Sequence, residues 1–156
     1  MIIITGASRG IGKYLFEEFW KSGETVYGTY YTTRPNVVNK TYFTKVDISN
    51  HSDVQNWVET INNKMKEVIL INCAGINYNS FAHKADINQW ENVINTNLIG
   101  TFNVIREVLP IMRESSYGRI INLSSIVAQT FVPGASAYAA SKAGLWGLAR
   151  SIAMEN

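Results

Sequence analysis

The sequence predicts a three-layer α/β/α protein with a doubly wound parallel sheet. Short apolar runs alternate with segments in which apolar residues recur at helical spacing, and a glycine-rich turn joins the first run to the first such segment. Strands and helices that alternate in this way imply right-handed crossovers and helices on both faces of the sheet. Because no repeat or linker interrupts its 156 residues, the chain is most simply one domain, residues 1–156.

The first part of the chain predicts two strands around one helix. Residues 2–4 are all isoleucine, as in a strand that is buried on both faces. The helix that follows ends at Ser22-Gly23, and five of its residues share one apolar face: Ile11, Leu15, Phe16, Phe19 and Trp20. Residues 25–31 are rich in β-branched and aromatic side chains and predict the second strand, which Arg34-Pro35-Asn36 ends.

The middle of the chain continues the alternation. Residues 42–46 predict a weak third strand. Residues 54–65 predict a second amphipathic helix, with Ser52 as its N-cap. Residues 68–71 are fully apolar and predict a fourth, buried strand, and apolar residues at helical spacing then predict a long helix over residues 90–112.

The last part of the chain predicts one more strand and one more helix. Residues 119–123 read as the fifth strand, and the segment from Ser136 onward reads as helix. No further strand follows that helix, so we expect the sheet to be incomplete, with an open edge at the fifth strand. Trp146 on the final helix is expected to belong to an apolar surface that needs a partner.

Composition excludes several classes of protein. The net charge is +2, and the 14 basic and 12 acidic residues are mixed along the chain, so neither a nucleic-acid nor a membrane partner is expected. The apolar run at residues 1–4 is too short for a signal sequence, and no stretch reaches membrane-spanning length. A single cysteine, Cys73, excludes an internal disulfide and favours a reducing compartment, the cytoplasm. Cysteine and histidine are too sparse to predict a metal site.

The glycine-rich turn at residues 5–12 predicts a diphosphate site. Its glycines, Gly6, Gly10 and Gly12, let backbone N–H groups approach a phosphate, and the following helix offers free N–H donors at its positive end. The spacing G-x-x-x-G-x-G lacks the Gly-Lys-Ser/Thr ending of nucleotide-hydrolysing loops. Three glycines alone are equally compatible with a structural turn. Their position between the first strand and the first helix favours a dinucleotide.

The end of the second strand favours NADP(H) over NAD(H). Proteins that bind NAD usually place an acid there to bond the ribose, and none occurs between residues 25 and 35. Arg9 lies in the glycine loop and Arg34 lies just beyond the strand, and a 2′-phosphate requires such cations. For Arg34, a role as a solvated surface charge is equally open.

Tyr138 and Lys142 are one helical turn apart, which suggests proton transfer. Such a pair is common by chance, and on a helix surface it contributes only about 0.3 kcal/mol. A fixed ammonium would, however, lower the pKa of the phenol, which could then protonate an alkoxide formed from a carbonyl. Ser125 follows the fifth strand at its carboxyl end, where open α/β sheets place ligands, and its hydroxyl could hold the substrate oxygen. Ser125 is not in a G-x-S-x-G elbow, so a hydrolase is not indicated.

Taken together, these motifs resemble those of the short-chain dehydrogenase/reductase family, close to its 3-oxoacyl-[acyl-carrier-protein] reductases. The resemblance covers the whole chain, and several motifs in order carry it: Thr5-Gly6-Ala7-Ser8-Arg9-Gly10-Ile11-Gly12, Asp47-Ile48, Asn72-Cys73-Ala74-Gly75, Asn97, Ser125, and Tyr138 with Lys142. It implies a Rossmann-like fold, NADP(H) as the cofactor, a small-molecule or acyl-carrier-bound carbonyl substrate, and a homo-oligomer, a dimer or tetramer.

The resemblance also implies a role for each matching residue. The adenosine and diphosphate would bind to the glycine loop: Gly6, Ser8, Arg9, Gly10, Ile11 and Gly12. Asp47 and Ile48 would flank the adenine, and the adenine-ribose side of the cleft would be lined by Asn72, Ala74 and Gly75. Tyr138 would be the acid/base, Lys142 would lower its pKa and bond the nicotinamide ribose, and Ser125 would orient the carbonyl. Asn97 would hold a water that links Lys142 to solvent; from spacing alone it could equally be a capping or helix-bending residue.

Two departures from the family pattern stand out. The usual Asn-Asn-Ala-Gly motif has Cys73 in second place, which we interpret as a small buried filler. The family also continues with two more strands, a substrate-covering loop and a Pro-Gly segment, which this sequence lacks, so it is expected to be C-terminally truncated relative to the family. Two hypotheses therefore remain: an NADPH-dependent carbonyl reductase, and a catalytically incompetent module that binds dinucleotides or oligomerises.

Overall fold

Among the residues that the structure describes, five parallel strands form one open sheet in the order β3-β2-β1-β4-β5. The computed structural model describes residues 1–35, 42–130 and 132–156. The strands are β1 (Ile2–Thr5), β2 (Val26–Tyr30), β3 (Phe43–Lys45), β4 (Val68–Asn72) and β5 (Gly118–Asn122). Each was predicted from the sequence to within two residues at either end. The order reverses between β1 and β4, which is where open α/β sheets place their ligand crevice.

Five α-helices accompany the sheet in the part of the chain that the structure describes. They are α1 (Gly10–Lys21), α2 (His51–Ile61), α3 (Ile87–Ile94), α4 (Gly100–Glu114) and α5 (Ser136–Glu155). The predicted long helix is α3 and α4 together, joined through a π-helical turn at Asn95–Ile99. Such single π-turns inside helices are rare and often occur at functional sites.

The two faces of the sheet bury separate apolar clusters, so the three-layer prediction is confirmed. Side chains alternate along β1: Ile3 packs with α2 and α4, whereas Ile2 and Ile4 pack with Phe16 of α1. The larger cluster includes Trp57 of α2 and Val108 of α4, both almost wholly buried. Helices on both faces explain why β1 reads as an uninterrupted apolar run.

Two details of the sequence interpretation are wrong. Ile11 was placed on the apolar face of α1, but it is 62% exposed, whereas Phe16 of the same helix is buried. Ser52 was interpreted as the cap of α2, but the cap is Asn50, whose side chain accepts hydrogen bonds from the backbone N–H groups of Ser52 and Asp53. Both Ser and Asn are good caps, so composition does not separate two candidates two positions apart.

β5 forms one edge of the sheet, as expected. Among the described strands it pairs only with β4, and its residue Ile121 is half exposed. A groove of about 760 Å³ runs beside it, between α4 and the end of α5. Within the described residues, no helix is long and apolar enough to cross a membrane.

Candidate active site

A cleft of about 740 Å³ opens at the carboxyl ends of the strands. Segments that follow all five strands contribute to its walls, and α5 closes one side. Twelve of the predicted site residues line it: Gly6, Ser8, Arg9, Gly10, Ile11, Gly12, Asp47, Ile48, Ala74, Gly75, Tyr138 and Lys142. The remaining four, Arg34, Asn72, Asn97 and Ser125, lie outside its lining.

The glycine loop packs as closely as its composition suggests. A Cβ on Gly6 would lie 2.7 Å from the Cα of Ala74, and a Cβ on Gly12 would lie 2.4 Å from the carbonyl oxygen of Gly6. Gly6 and Gly10 both have positive φ, +65° and +54°, which favours glycine on conformational grounds. Gly10 faces open space within the cleft. The first backbone N–H groups of α1 therefore border an unobstructed volume suited to a diphosphate.

The cleft wall after β2 is aromatic and hydroxylated. Tyr30, Tyr31 and Thr32 line it, and Arg9 of the glycine loop belongs to the same lining. Among the described residues that directly follow β2, 31–35, there is no carboxylate that could bond an adenosine ribose. Arg34 is exposed and is not part of the lining.

Asp47 follows β3 and is held in place locally. Its Oδ1 accepts hydrogen bonds from the backbone N–H of Ser49 at 3.0 Å and from the Ser49 hydroxyl at 2.6 Å. The carboxylate therefore has a defined position at the cleft wall. Ile48, the next residue, is buried against Gly100 of α4.

Asn72 connects neighbouring strands and does not line the cleft. It is buried, and its amide donates to Oδ1 of Asn122 at 2.9 Å, which ties the end of β4 to the end of β5. Thr5 at the end of β1 lies 3.4 Å from Asn72 and accepts a hydrogen bond from the backbone N–H of Ala74. These side chains join three neighbouring strands directly beneath the cleft.

Lys142 is buried next to Tyr138 on α5. Only 5% of its surface is exposed, and its Nζ lies 5.8 Å from the centroid of the Tyr138 ring. Nζ donates a hydrogen bond of 2.6 Å to the backbone carbonyl of Leu123, just after β5. Burial lowers the pKa of Lys142 below its ordinary value, because the charged form loses hydration. Burial also disfavours the charged form of Cys73, the thiolate, and so raises the pKa of that thiol to about 11, while the Lys142 charge partly opposes the rise.

Asn97 lies within the π-turn and is completely buried. Its side chain forms hydrogen bonds with both backbone groups of Ile76, at 2.8 and 2.9 Å, and donates to the Ser141 hydroxyl at 3.1 Å. It therefore fixes the Gly75-Ile76 segment, which lines the cleft, against α5. Asn97 Oδ1 and Lys142 Nζ both border the space above Gly75.

The two serines after β5 have different surroundings. Ser125 accepts a hydrogen bond of 3.2 Å from the backbone N–H of Val127 and begins a short 3₁₀ turn. Ser124 lines the cleft, and its hydroxyl bonds to α5. Sequence reasoning named only Ser125, because spacing cannot show which of two adjacent side chains turns toward α5.

Sequence reasoning also missed the cleft residues that follow β2 and the involvement of Trp146. The position directly after β2 was a usable signal for Tyr31 and Thr32, because parallel strands end at a common edge. Trp146 was interpreted as apolar surface, but its indole N–H bonds to Ser124. No cluster of three potential metal ligands occurs within the described ranges.

The fold and the cleft define a class of dinucleotide-binding α/β proteins, and comparison with known proteins narrows that class. A family model described as short chain dehydrogenase matches residues 1–156. The chain therefore belongs to the short-chain dehydrogenase family, whose members bind a nicotinamide dinucleotide.

Individual relatives agree with this assignment. Acetoacetyl-CoA reductase of Paracoccus denitrificans is 33% identical, over 98% of this chain and 66% of that protein. A 3-oxoacyl-[acyl-carrier-protein] reductase, FabG, of Staphylococcus epidermidis is 32% identical, over 98% of this chain and 67% of that protein. The chain thus spans about two thirds of the length of these relatives.

Solved structures show the same fold. A structure described as ElxO with NADP bound superposes with a TM-score of 0.86 at 27% identity, over 99% of this chain and 66% of the other. A 4-hydroxyisoleucine dehydrogenase complexed with NADH and succinate has a TM-score of 0.87 at 30% identity, over 99% of this chain and 72% of the other. The two similar structures carry different dinucleotides, NADP in one and NADH in the other.

Proposed function

We propose that this protein is an NADPH-dependent oxidoreductase that reduces a carbonyl, in a 3-oxoacyl thioester or a related ketone, to a hydroxyl. The observation that carries the proposal is the placement of Tyr138 beside buried Lys142 in the same cleft as the glycine loop. A phenol next to a fixed ammonium can donate a proton to a substrate oxygen, because the ammonium stabilises the negative charge left on the phenol.

Different parts of the cleft would bind different parts of the cofactor. The glycine loop would hold the diphosphate on the N-terminus of α1, and Asp47 and Ile48 would border the adenine. Ala74 and Gly75 would border the ribose, while Asn72 supports them from beneath the cleft. Arg9 is the best-placed cation for a 2′-phosphate, because it lines the cleft, whereas Arg34 is a second, more distant one. The bound cofactor supplies the hydride.

Tyr138 would donate its proton to the oxygen of the carbonyl as negative charge develops there. Lys142 would stabilise the resulting phenolate and bond the nicotinamide ribose with the N–H groups not used by Leu123. Ser125 would orient the carbonyl, once its hydroxyl turns from the Val127 N–H toward the cleft. Asn97 would hold the water that returns a proton to this pair, next to the Lys142 ammonium above Gly75.

The names of the relatives support the substrate class. One relative is named for acetoacetyl-CoA and another for 3-oxoacyl groups on acyl carrier protein, and both are 3-oxoacyl thioesters. A small-molecule or carrier-bound thioester is therefore the proposed partner in the cytoplasm. A homo-oligomer is proposed as well, since Ile99 and Phe102 on the long helix leave large apolar side chains in solvent.

Oxidation of NADPH tests the reaction. Purified protein is incubated with NADPH and acetoacetyl-CoA or a simple ketone, and the absorbance of NADPH is followed. Tyr138→Phe is expected to reduce kcat by a factor of about 10² to 10⁴, because the proton donor is lost. Tyr14→Phe, which alters an exposed tyrosine on α1, is expected to leave the rate unchanged. Tight NADPH binding without turnover of any carbonyl would favour the incompetent dinucleotide-binding module instead.

Binding constants test the cofactor. Arg9→Ala is expected to weaken NADPH binding by about tenfold while NADH binding changes little, because only NADPH carries the 2′-phosphate. Arg150→Ala on the exposed side of α5 removes a similar charge that is not part of the cleft lining and serves as the control. Equal losses for NADPH and NADH would contradict the assignment of Arg9 to the 2′-phosphate.

A further inference from the structure

The proposed role of Lys142 requires its side chain to remain protonated. The residue is almost wholly buried, yet the three ion pairs found among the described residues do not include it. Burying an ammonium without a counter-charge disfavours the protonated form. If Lys142 lost its proton, it would no longer stabilise a phenolate at Tyr138. Something in the structure must therefore compensate for the lost hydration.

The compensating group is the backbone carbonyl of Leu123. Nζ of Lys142 donates to it at 2.6 Å, a short, charge-assisted hydrogen bond. A bond of this kind favours the charged form of its donor. Leu123 follows the last residue of β5, and its carbonyl has to be held in this place by the residues around it.

Ser124 and Trp146 connect the same segment to α5. The Ser124 hydroxyl donates to the backbone carbonyl of Lys142 at 2.9 Å, and Nε1 of Trp146 donates to that hydroxyl at 2.9 Å. Lys142 is thus bonded twice to adjacent residues, through its side chain to Leu123 and through its backbone to Ser124. Trp146, one turn later on α5, closes the arrangement. We call Ser124, Trp146 and the Leu123 carbonyl the β5–α5 clamp.

We propose that Ser124 and Trp146 are positioning residues, and that the β5–α5 clamp keeps Lys142 in the charged form that Tyr138 requires. This inference rests on the proposed role of Lys142. The clamp also precedes Ser125 directly, so it fixes the start of the segment that would orient the substrate carbonyl.

The other groups that face Lys142 do not take over this task. Cys73, after β4, has its pKa raised to about 11, so it is a neutral thiol at neutral pH. Tyr138, on the same helix, presents its aromatic ring to Lys142, with the ring centroid 5.8 Å from Nζ. Asn97, from the π-turn, presents an uncharged amide across Gly75, and its polar atoms bond to Ile76 and Ser141.

The titration of Lys142 tests the clamp directly and without cofactor. Protein labelled with ¹³C at lysine Cε is titrated by NMR, and Lys142→Met identifies the Lys142 signal. Ser124→Ala is expected to lower the pKa of Lys142 by about one pH unit, because the carbonyl is no longer held against the ammonium. Trp146→Phe keeps the ring and removes only the N–H donor, so a smaller fall in the same direction is expected. Ser124→Thr keeps a hydroxyl at this position, so the pKa of Lys142 should stay close to that of the unaltered protein.

Trp90→Phe is the matched control. Trp90 donates a similar hydrogen bond of 3.1 Å to the Ser136 hydroxyl at the start of α5, but it is not part of the clamp. Its removal should leave the pKa of Lys142 unchanged. An unchanged pKa in both Ser124→Ala and Trp146→Phe would overturn the proposal, as would an equal fall in Trp90→Phe. Absence of carbonyl reduction by the unaltered protein would defeat the proposed function alone, because the lysine titration does not depend on turnover.

Discussion

Replacement of Asn97 by alanine tests how the cleft is held together. Asn97 is completely buried, and its side chain makes three hydrogen bonds, two to the backbone of Ile76 and one to Ser141. Each contributes about 1 kcal/mol net, and a buried group left without a partner costs about 1–3 kcal/mol. Ile76 is only half buried, so water can replace part of what is lost. We therefore expect Asn97→Ala to lower the free energy of unfolding by about 2–4 kcal/mol.

Urea unfolding followed by circular dichroism measures this loss, and amide hydrogen exchange locates it. The midpoint should fall with little change in the slope, and exchange at the Ile76 N–H should become faster than at the neighbouring strand amides. Asn95→Ala is the matched control, because Asn95 is an exposed residue in the same π-turn. It should change stability by no more than about 0.5 kcal/mol. A loss below about 1 kcal/mol for Asn97→Ala, with Ile76 still protected, would refute the reasoning.

Three further outcomes follow from the geometry. Gly12→Ala should destabilise the protein by about 1–3 kcal/mol, because the new Cβ would collide with the Gly6 carbonyl. Gly147→Ala places its Cβ in open space and should stabilise α5 by up to about 1 kcal/mol. Equal urea midpoints for the two variants would contradict this prediction. Alkylation of Cys73 by iodoacetamide should rise about tenfold per pH unit from pH 7 to 10, since its pKa is about 11, and a plateau by pH 9 would disprove burial as the cause. Lys142→Met should stabilise the protein at pH 7. Burial lowers the pKa of Lys142 in the folded state below 10.5, so between the folded and unfolded pKa values the unfolded chain binds more protons and stability rises with pH. Below that interval, at pH 7, the full destabilisation caused by burying the charged lysine is present, and the methionine variant removes it. A lower free energy of unfolding for Lys142→Met at pH 7 would count against that reading.

The sequence predicted those elements whose pattern is set by burial. The run at Ile2–Thr5 and the apolar residues of β4 lie between two helical layers, so their composition alone marks them as strands. The π-turn at Asn95–Ile99 was not predicted, because one extra residue in a helical turn hardly changes the spacing of apolar residues around it. Its consequence, the orientation of Asn97 toward Ile76, was therefore invisible as well.

The cleft shows the same division between local and non-local information. The glycine loop was predictable because its close contacts are made by residues a few positions apart or at the end of a strand. The polar ties beneath and beside the cleft join residues distant in sequence, such as Asn72 with Asn122 and Ser124 with Trp146. No periodicity encodes which of two adjacent serines turns toward a helix, so Ser124 could be recognised only in three dimensions.

The pairing of β1 with β4 has a consequence for the order of folding. Ile2 pairs with Ile69, so the two strands under the cleft are 67 positions apart in the chain. The entropy of closing so long a loop is lost before the contact between Gly6 and Ala74 forms, and such non-local pairing slows folding. We therefore expect a nascent chain to remain unable to hold a dinucleotide until β4 has emerged, however early its glycine loop is made.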